Sequence, residues 1–313
     1  MNLYFTVTID TECDKGPGWK VRQPISCRSV TEDTPGRLHK LFTELKVKPT
    51  YLLSQEIIDN KNCVETLKGL AGKELGTHLH SETVEPHANP KAILHDGYQA
   101  AMPKDLEEEK LANLTRSFER AFGHAPVSFR AGRFGLGPNS LQILSSLGYK
   151  VDSSVTPHQY WGYAPVAVDY TNYPDRPYFP REGAAHQPGG NGVLEVPVTI
   201  VPKYPFIQTL YKKSALFKNL VFLKALWLRP SLASAAEMKA VVDRYILAHE
   251  GEENTVLTMM FHSVEATPGA SPYNATAADV GAFMDDLRII LEYIKGKSAK
   301  SITLAETCSL FKK

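Results

Sequence analysis

The chain has few cysteines, and none is spaced for a shared task. Cys13, Cys27, Cys63 and Cys308 are all four of them, and no two form a CxxC pair. This excludes a disulfide framework and a thiolate zinc site, and leaves reduced thiols. A surplus of one charge sign is also missing. The 35 Lys and Arg residues nearly match the 34 Asp and Glu residues, for a net charge of +1, which excludes a global nucleic-acid-binding surface. No apolar run reaches a membrane-spanning length, and the opening MNLYFTVTID has neither a basic n-region nor a cleavage site. A cytoplasmic location is therefore expected, with the NLT at Asn113 left unglycosylated. No GxSxG elbow, Walker loop or HExxH helix occurs, so the common serine, nucleotide and gluzincin chemistries have no footing.

What is present is rhythm. Short β-rich runs bounded by turn residues alternate with segments of helical period, which indicates βα units around a mostly parallel sheet. The strand candidates are LYFTVTID, KPTYLLS, ELGTHLH, PVSFRAG, YKVDSSV, VLEVPVTI, NTVLTMMFHS and SITLA. Thr34 and Pro35 read as a helix start, with Leu38, Leu41, Phe42 and Leu45 on one face. Leu111, Leu114, Phe118 and Phe122 repeat the pattern, as do Val280, Phe283, Leu287, Ile290, Leu291 and Ile294. Two stretches break it. Residues 156–192 are crowded with Pro, Gly, Tyr and Asp and read as a long irregular insertion. Between Glu195 and Glu237 no acid occurs, while Lys203, Lys212, Lys213, Lys218, Lys224 and Arg229 are interleaved with Leu, Phe, Tyr and Trp. This basic amphipathic segment, about 203–230, is a candidate for peripheral contact with an anionic membrane face, against the commoner reading of a packing helix.

In parallel α/β folds the carboxyl ends of the strands face one crevice, so polar residues ending several strands belong together. Asp10 and Glu12 in TIDTE stand two apart, and so do His78 and His80 in ELGTHLH; each pair shares a strand face. Clustered buried acids need a cation, and imidazole is a common zinc ligand. Arg130 and Arg133 in FRAGRFG can orient and ionise a carboxylate, and their glycines let a backbone approach closely. Asp152 and His262 end two further strands, and His262 suits protonation of a leaving amine.

In this order, TIDTE, ELGTHLH, FRAGRFG, YKVDSSV, LEVPV and FHSVEATPGASPY resemble the motif series of the polysaccharide deacetylase superfamily, the NodB-like group related to carbohydrate esterase family 4. The resemblance spans residues 5–273 and lies in the order of the six motifs. It implies a single catalytic domain over residues 1–313, folded as a distorted, incomplete (β/α) barrel of about seven strands of the glycoside hydrolase/deacetylase type. It implies one divalent metal, expected to be Zn2+, and removal of an N-acetyl or related acyl group from a sugar. Asp10 corresponds to the catalytic base, Arg130 to the arginine that orients it, and His262 to the catalytic acid. Asp152 corresponds to the acid that supports His262, Glu12 to the acidic metal ligand, and His78 to the first metal histidine. The chain departs from the commoner pattern by carrying Thr11 between its acids and by offering His80, or Glu82 at the i+4 spacing, as third ligand; His80 is favoured. The expected substrate is a nucleotide-linked or lipid-linked N-acylated sugar, such as a precursor of cell-surface polysaccharide or lipopolysaccharide, met in the cytoplasm or at the inner membrane face. The aromatic loop 156–192, with His158 and Trp161, is expected to line the sugar groove. The alternatives are hydrolysis of a non-sugar amide or ureide on the same barrel, and an inactive sugar-binding homologue.

Overall fold

The computed structural model describes residues 1–21, 23–88, 98–162, 166–204 and 225–311. All eight strand candidates are strands: β1 (Asn2–Thr11), β2 (Pro49–Leu53), β3 (Glu74–Leu79), β4 (Ser128–Ala131), β5 (Val151–Asp152), β6 (Leu194–Glu195), β7 (Asn254–His262) and β8 (Lys300–Ser301). They pair in parallel in the order β6-β5-β4-β3-β2-β1-β7, with β8 beside the lower part of β1. The sheet curls into a distorted, incomplete (β/α) barrel. Across its open side Thr199 N donates to Thr258 O at 3.0 Å, and Thr258 N donates to Thr199 Oγ1 at 2.8 Å.

Strand alternation sorts β1 into two faces. Phe5, Val7 and Ile9 join the main apolar cluster with Leu38, Phe42, Leu287 and Ile290, while Thr6, Thr8 and Asp10 take the alternate face. The helices Lys104–Phe122 and Ala277–Gly296 bury the residues their period picked out, including Leu111, Leu114 and Phe118 of the first and Phe283, Ile290 and Ile294 of the second. Thr276 and Asp279 form a capping box at the start of the latter.

The first helix differs from its sequence reading. It begins at Ser29 as a π-helical stretch, Ser29–His39, that continues as Lys40–Leu45, and Pro35 lies inside it. Asp14 supplies the distant start signal, since its carboxylate accepts from the backbone N of Arg28 and of Ser29, both at 3.2 Å. The insertion at 156–192 contains two short antiparallel pairs, Tyr160–Trp161 with Val168–Asp169 and Pro180–Arg181 with Ala184–Pro188. Of the basic segment, Lys212, Lys213, Lys218 and Lys224 lie outside the described residues.

Candidate active site

The register of the sheet assembles the site. Asp10 is opposite His262 in the β1–β7 pairing, and His78 is opposite Arg130 in the β3–β4 pairing. Glu12 and His80 follow β1 and β3, each two residues beyond the site residue that precedes it. The strand ends therefore bring Asp10, Glu12, His78, His80, Arg130 and His262 into one crevice.

Arg130 is fully buried and holds the centre. Its guanidinium donates to Asp10 Oδ1 at 2.7 Å, to Thr8 Oγ1 at 2.7 Å, and to Ser153 Oγ and carbonyl at 2.9 and 2.7 Å. Burial alone would raise the Asp10 carboxyl, but Arg130, His78 and His262 reverse this and hold it below the usual aspartate range. With Oδ1 fixed, Oδ2 faces the Nε2 atoms of both His78 and His262 at 3.9 Å.

The two strand-end histidines converge on one carboxylate oxygen. Glu12 Oε1 lies 3.2 Å from His78 Nε2 and 3.0 Å from His80 Nε2. His78 Nδ1 donates to the Arg130 carbonyl at 3.0 Å, and His80 Nδ1 donates to Glu82 Oε1 at 3.3 Å. In neutral rings this leaves both Nε2 lone pairs aimed at an anionic oxygen, an arrangement that a cation or added protons must reconcile. Glu82 is not the third donor to this group. It sits behind His80 in a two-pronged pair with Arg133, and His80 and Arg133 outweigh burial to hold its carboxyl well below the ordinary range. Among the described residues, Glu12, His78 and His80 form a group that could hold a metal ion, with ligand atoms within 4.8 Å of one another. The donor chemistry fits: two imidazoles and a carboxylate are a ligand set that would hold a divalent cation, and Glu12 Oε1 lies within 3.2 Å of both Nε2 atoms.

Several members of the site were missed in the sequence. Lys15, three residues after Glu12, pairs with Glu12 Oε2 at 2.9 Å. The acid beside His262 is Glu265 rather than Asp152. His262 Nδ1 donates to Glu265 Oε1 at 2.8 Å, and the same oxygen accepts from Arg229 at 2.7 Å. Burial would raise Glu265, but Arg229 and His262 bring it down to about 2. The HxxE spacing in HSVE was the available signal, because one short turn returns the acid to the histidine. Asp152 instead forms a fully buried pair with Glu195, accepting from Ser154 Oγ at 2.6 Å; desolvation raises both carboxyls.

An aromatic ring from outside the 156–192 loop stands against His262. Trp161 stacks on Phe134 at 5.5 Å and donates to Thr156 Oγ1 at 2.8 Å, within an apolar cluster shared with Trp227. Phe134 adopts φ 54°, following Arg133 at φ 55°, in the backbone region where non-glycine residues are uncommon. Trp19 lies 4.8 Å from the His262 ring and 5.7 Å from Tyr273, and both are 37% exposed. Gly132 serves the neighbouring strand: a Cβ there would meet the Leu79 carbonyl at 2.5 Å and His80 Nδ1 at 3.3 Å.

Neither the family models nor the curated proteins contain a match to this sequence. Solved structures do match in fold. A structure described as a glycoside hydrolase/deacetylase from Parabacteroides distasonis superposes with a TM-score of 0.64 at 12% identity, over 99% of this chain and 71% of that one. A structure described as a polysaccharide deacetylase from Mycobacterium smegmatis gives 0.52 at 14% identity, covering 99% and 91%. The allantoinase PuuE gives 0.55 at 14% identity, covering 98% and 89%.

Proposed function

We propose, for a chain that folds as the polysaccharide deacetylase superfamily does, that it is a metal-dependent hydrolase that removes an N-acyl group from a sugar. The observation that carries this reading is the convergence of Glu12 Oε1, His78 Nε2 and His80 Nε2 beside a fixed Asp10 and a buttressed His262. A divalent metal held by Glu12, His78 and His80, with Zn2+ the best match to these donors, would supply Lewis-acid polarisation of the scissile carbonyl and a more acidic water.

The chain's own residues supply the proton traffic. Asp10 is kept ionised and presents Oδ2, so it accepts the proton that the attacking water gives up. Arg130, tied to Thr8 and Ser153, stops that carboxylate from rotating. His262, with Nδ1 committed to Glu265, has Nε2 as its working atom and gives a proton to the departing amine. Water is added across the amide C–N bond, and the products are a carboxylate and the sugar amine. Trp19 and Tyr273 form two faces of a ledge beside His262 on which a sugar ring can pack.

The finer reading is a nucleotide-linked or lipid-linked N-acyl sugar met in the cytoplasm, with Lys203 opening a segment that approaches the membrane face; Arg229, at the far end of that segment, is buried against Glu265 and takes no part in such a contact. The thiols of Cys13, Cys27, Cys63 and Cys308, all free, accord with a reducing compartment. The test is metal content by elemental mass spectrometry on tag-free protein, followed by acetate release from free, nucleotide-linked and lipid-linked N-acetyl sugars, with allantoin in the same panel because an allantoinase shares the fold. The expected result is one equivalent of metal, lost in His78→Ala and His80→Ala. Asp10→Asn should keep the metal and lose about 10²- to 10⁴-fold in rate. A metal-free parent after zinc loading, or an undiminished Asp10→Asn, would overturn the reading.

A further inference from the structure

Each of four carboxylates around the crevice already has a cation of its own. Asp10 pairs with Arg130 at 2.7 Å, Glu12 with Lys15 at 2.9 Å, Glu265 with Arg229 at 2.7 Å, and Glu82 with Arg133. The Glu12 pair differs from the others because Glu12 also lies within hydrogen-bond distance of two imidazole Nε2 atoms, whereas those facing Asp10 stand at 3.9 Å. Its oxygens divide the work: Oε1 is turned to His78 and His80, and Oε2 to the Lys15 ammonium.

Lys15 is not a surface residue that happens to reach inward. It is buried, and its backbone N donates to the Ala270 carbonyl at 2.9 Å, so the turn that carries it is anchored to the loop after β7. A buried ammonium is costly unless it is paired, and Glu12 is the partner at hydrogen-bond distance. A divalent cation on Oε1 would therefore share its one anionic ligand with an ammonium on the other oxygen of the same carboxylate. The ammonium draws charge from the ligand and repels the cation in a poorly screened site. Without it, Glu12 would be a buried anion lacking its lysine, a deficit that a divalent cation makes good.

We infer that Lys15 is a built-in counter-cation of Glu12 that weakens the hold of the Glu12–His78–His80 site on divalent metal and keeps that metal exchangeable. The inference rests on the metal reading of the site. Its sign sets it apart from ordinary support, since losing a group that merely orients a metal ligand lowers affinity by about 10- to 100-fold.

The experiment is competition for Zn2+ alone against a chromophoric chelator at pH 8, on the full chain and its Lys15→Met, Lys15→Gln and Lys15→Arg variants, with thermal unfolding followed in parallel. Met and Gln are expected to bind zinc tighter by about tenfold or more, and Arg to stay close to the parent. Gln still offers a donor toward Glu12, so the test survives if Met does not fold. Equal or weaker zinc binding in a cooperatively folded neutral variant, or equal tightening by Arg, would overturn the inference and leave the metal site standing. A parent that binds no zinc would overturn the metal reading itself, and the role of Lys15 with it.

Discussion

Replacing Arg130 by Met removes a fully buried guanidinium and leaves Asp10, 2% exposed, without its ion-pair partner. Four hydrogen bonds go with it, to Asp10 Oδ1, Thr8 Oγ1, Ser153 Oγ and the Ser153 carbonyl. Breaking a buried pair by deleting one partner costs about 3–5 kcal/mol, most of it from the stranded charge. That is a large share of the roughly 5–15 kcal/mol by which such domains are stable. The pH dependence is the sharper part of the prediction. In the parent the folded Asp10 carboxyl is depressed, because Arg130, His78 and His262 outweigh burial. Its contribution is therefore present above the unfolded aspartate pKa and lost as pH falls through the folded one. In Arg130→Met the first of the charges opposing burial is gone and only His78 and His262 remain, so the expected outcome is that burial raises the carboxyl and the folded state loses stability as pH rises. The gap between parent and variant should widen between about pH 4 and pH 8. Urea unfolding followed by circular dichroism, with chelator present in both samples, measures it. A cost below about 1 kcal/mol, or one that does not change with pH, would refute the claim that Asp10 is a buried carboxylate ionised by Arg130.

Two further outcomes follow from the same structure. Glu195→Gln should raise the melting temperature at pH 8, because Asp152 and Glu195 are both pushed up by burial and the folded state loses stability as pH rises past the unfolded carboxylate range; the gain should shrink toward pH 4, and a variant less stable than the parent at pH 8 would contradict the reading of two carboxyls raised by burial. Gly132→Ala should destabilise by about 1–3 kcal/mol, since its Cβ would meet the Leu79 carbonyl at 2.5 Å, and it should weaken zinc binding by displacing His80; denaturant midpoints and chelator competition read the two effects, and an unperturbed zinc affinity would separate Gly132 from the site.

The sequence by itself determined the strands and the residues that end them. Alternation and burial act within a few residues, so LYFTVTID and NTVLTMMFHS declare themselves, and two-residue spacing puts Asp10 with Glu12, and His78 with His80, on common faces. Tertiary structure decided the partnerships. Lys15, Glu265 and Arg229 reach the site from turns and from distant segments, where no periodicity marks direction, so which cation meets which acid was settled only when β1, β7 and the chain before Ser231 packed together. The same holds for Asp152. A carboxylate at a strand end can face the crevice or the layer behind it, and the pairing of β5 with β6 placed Asp152 against Glu195 instead of His262. Local sequence encodes the direction of a side chain along its own strand. The identity of the charge it meets depends on how strands far apart in the chain are aligned, and burial makes that alignment energetically decisive, because an unpaired ion in the interior costs more than the fold can spare.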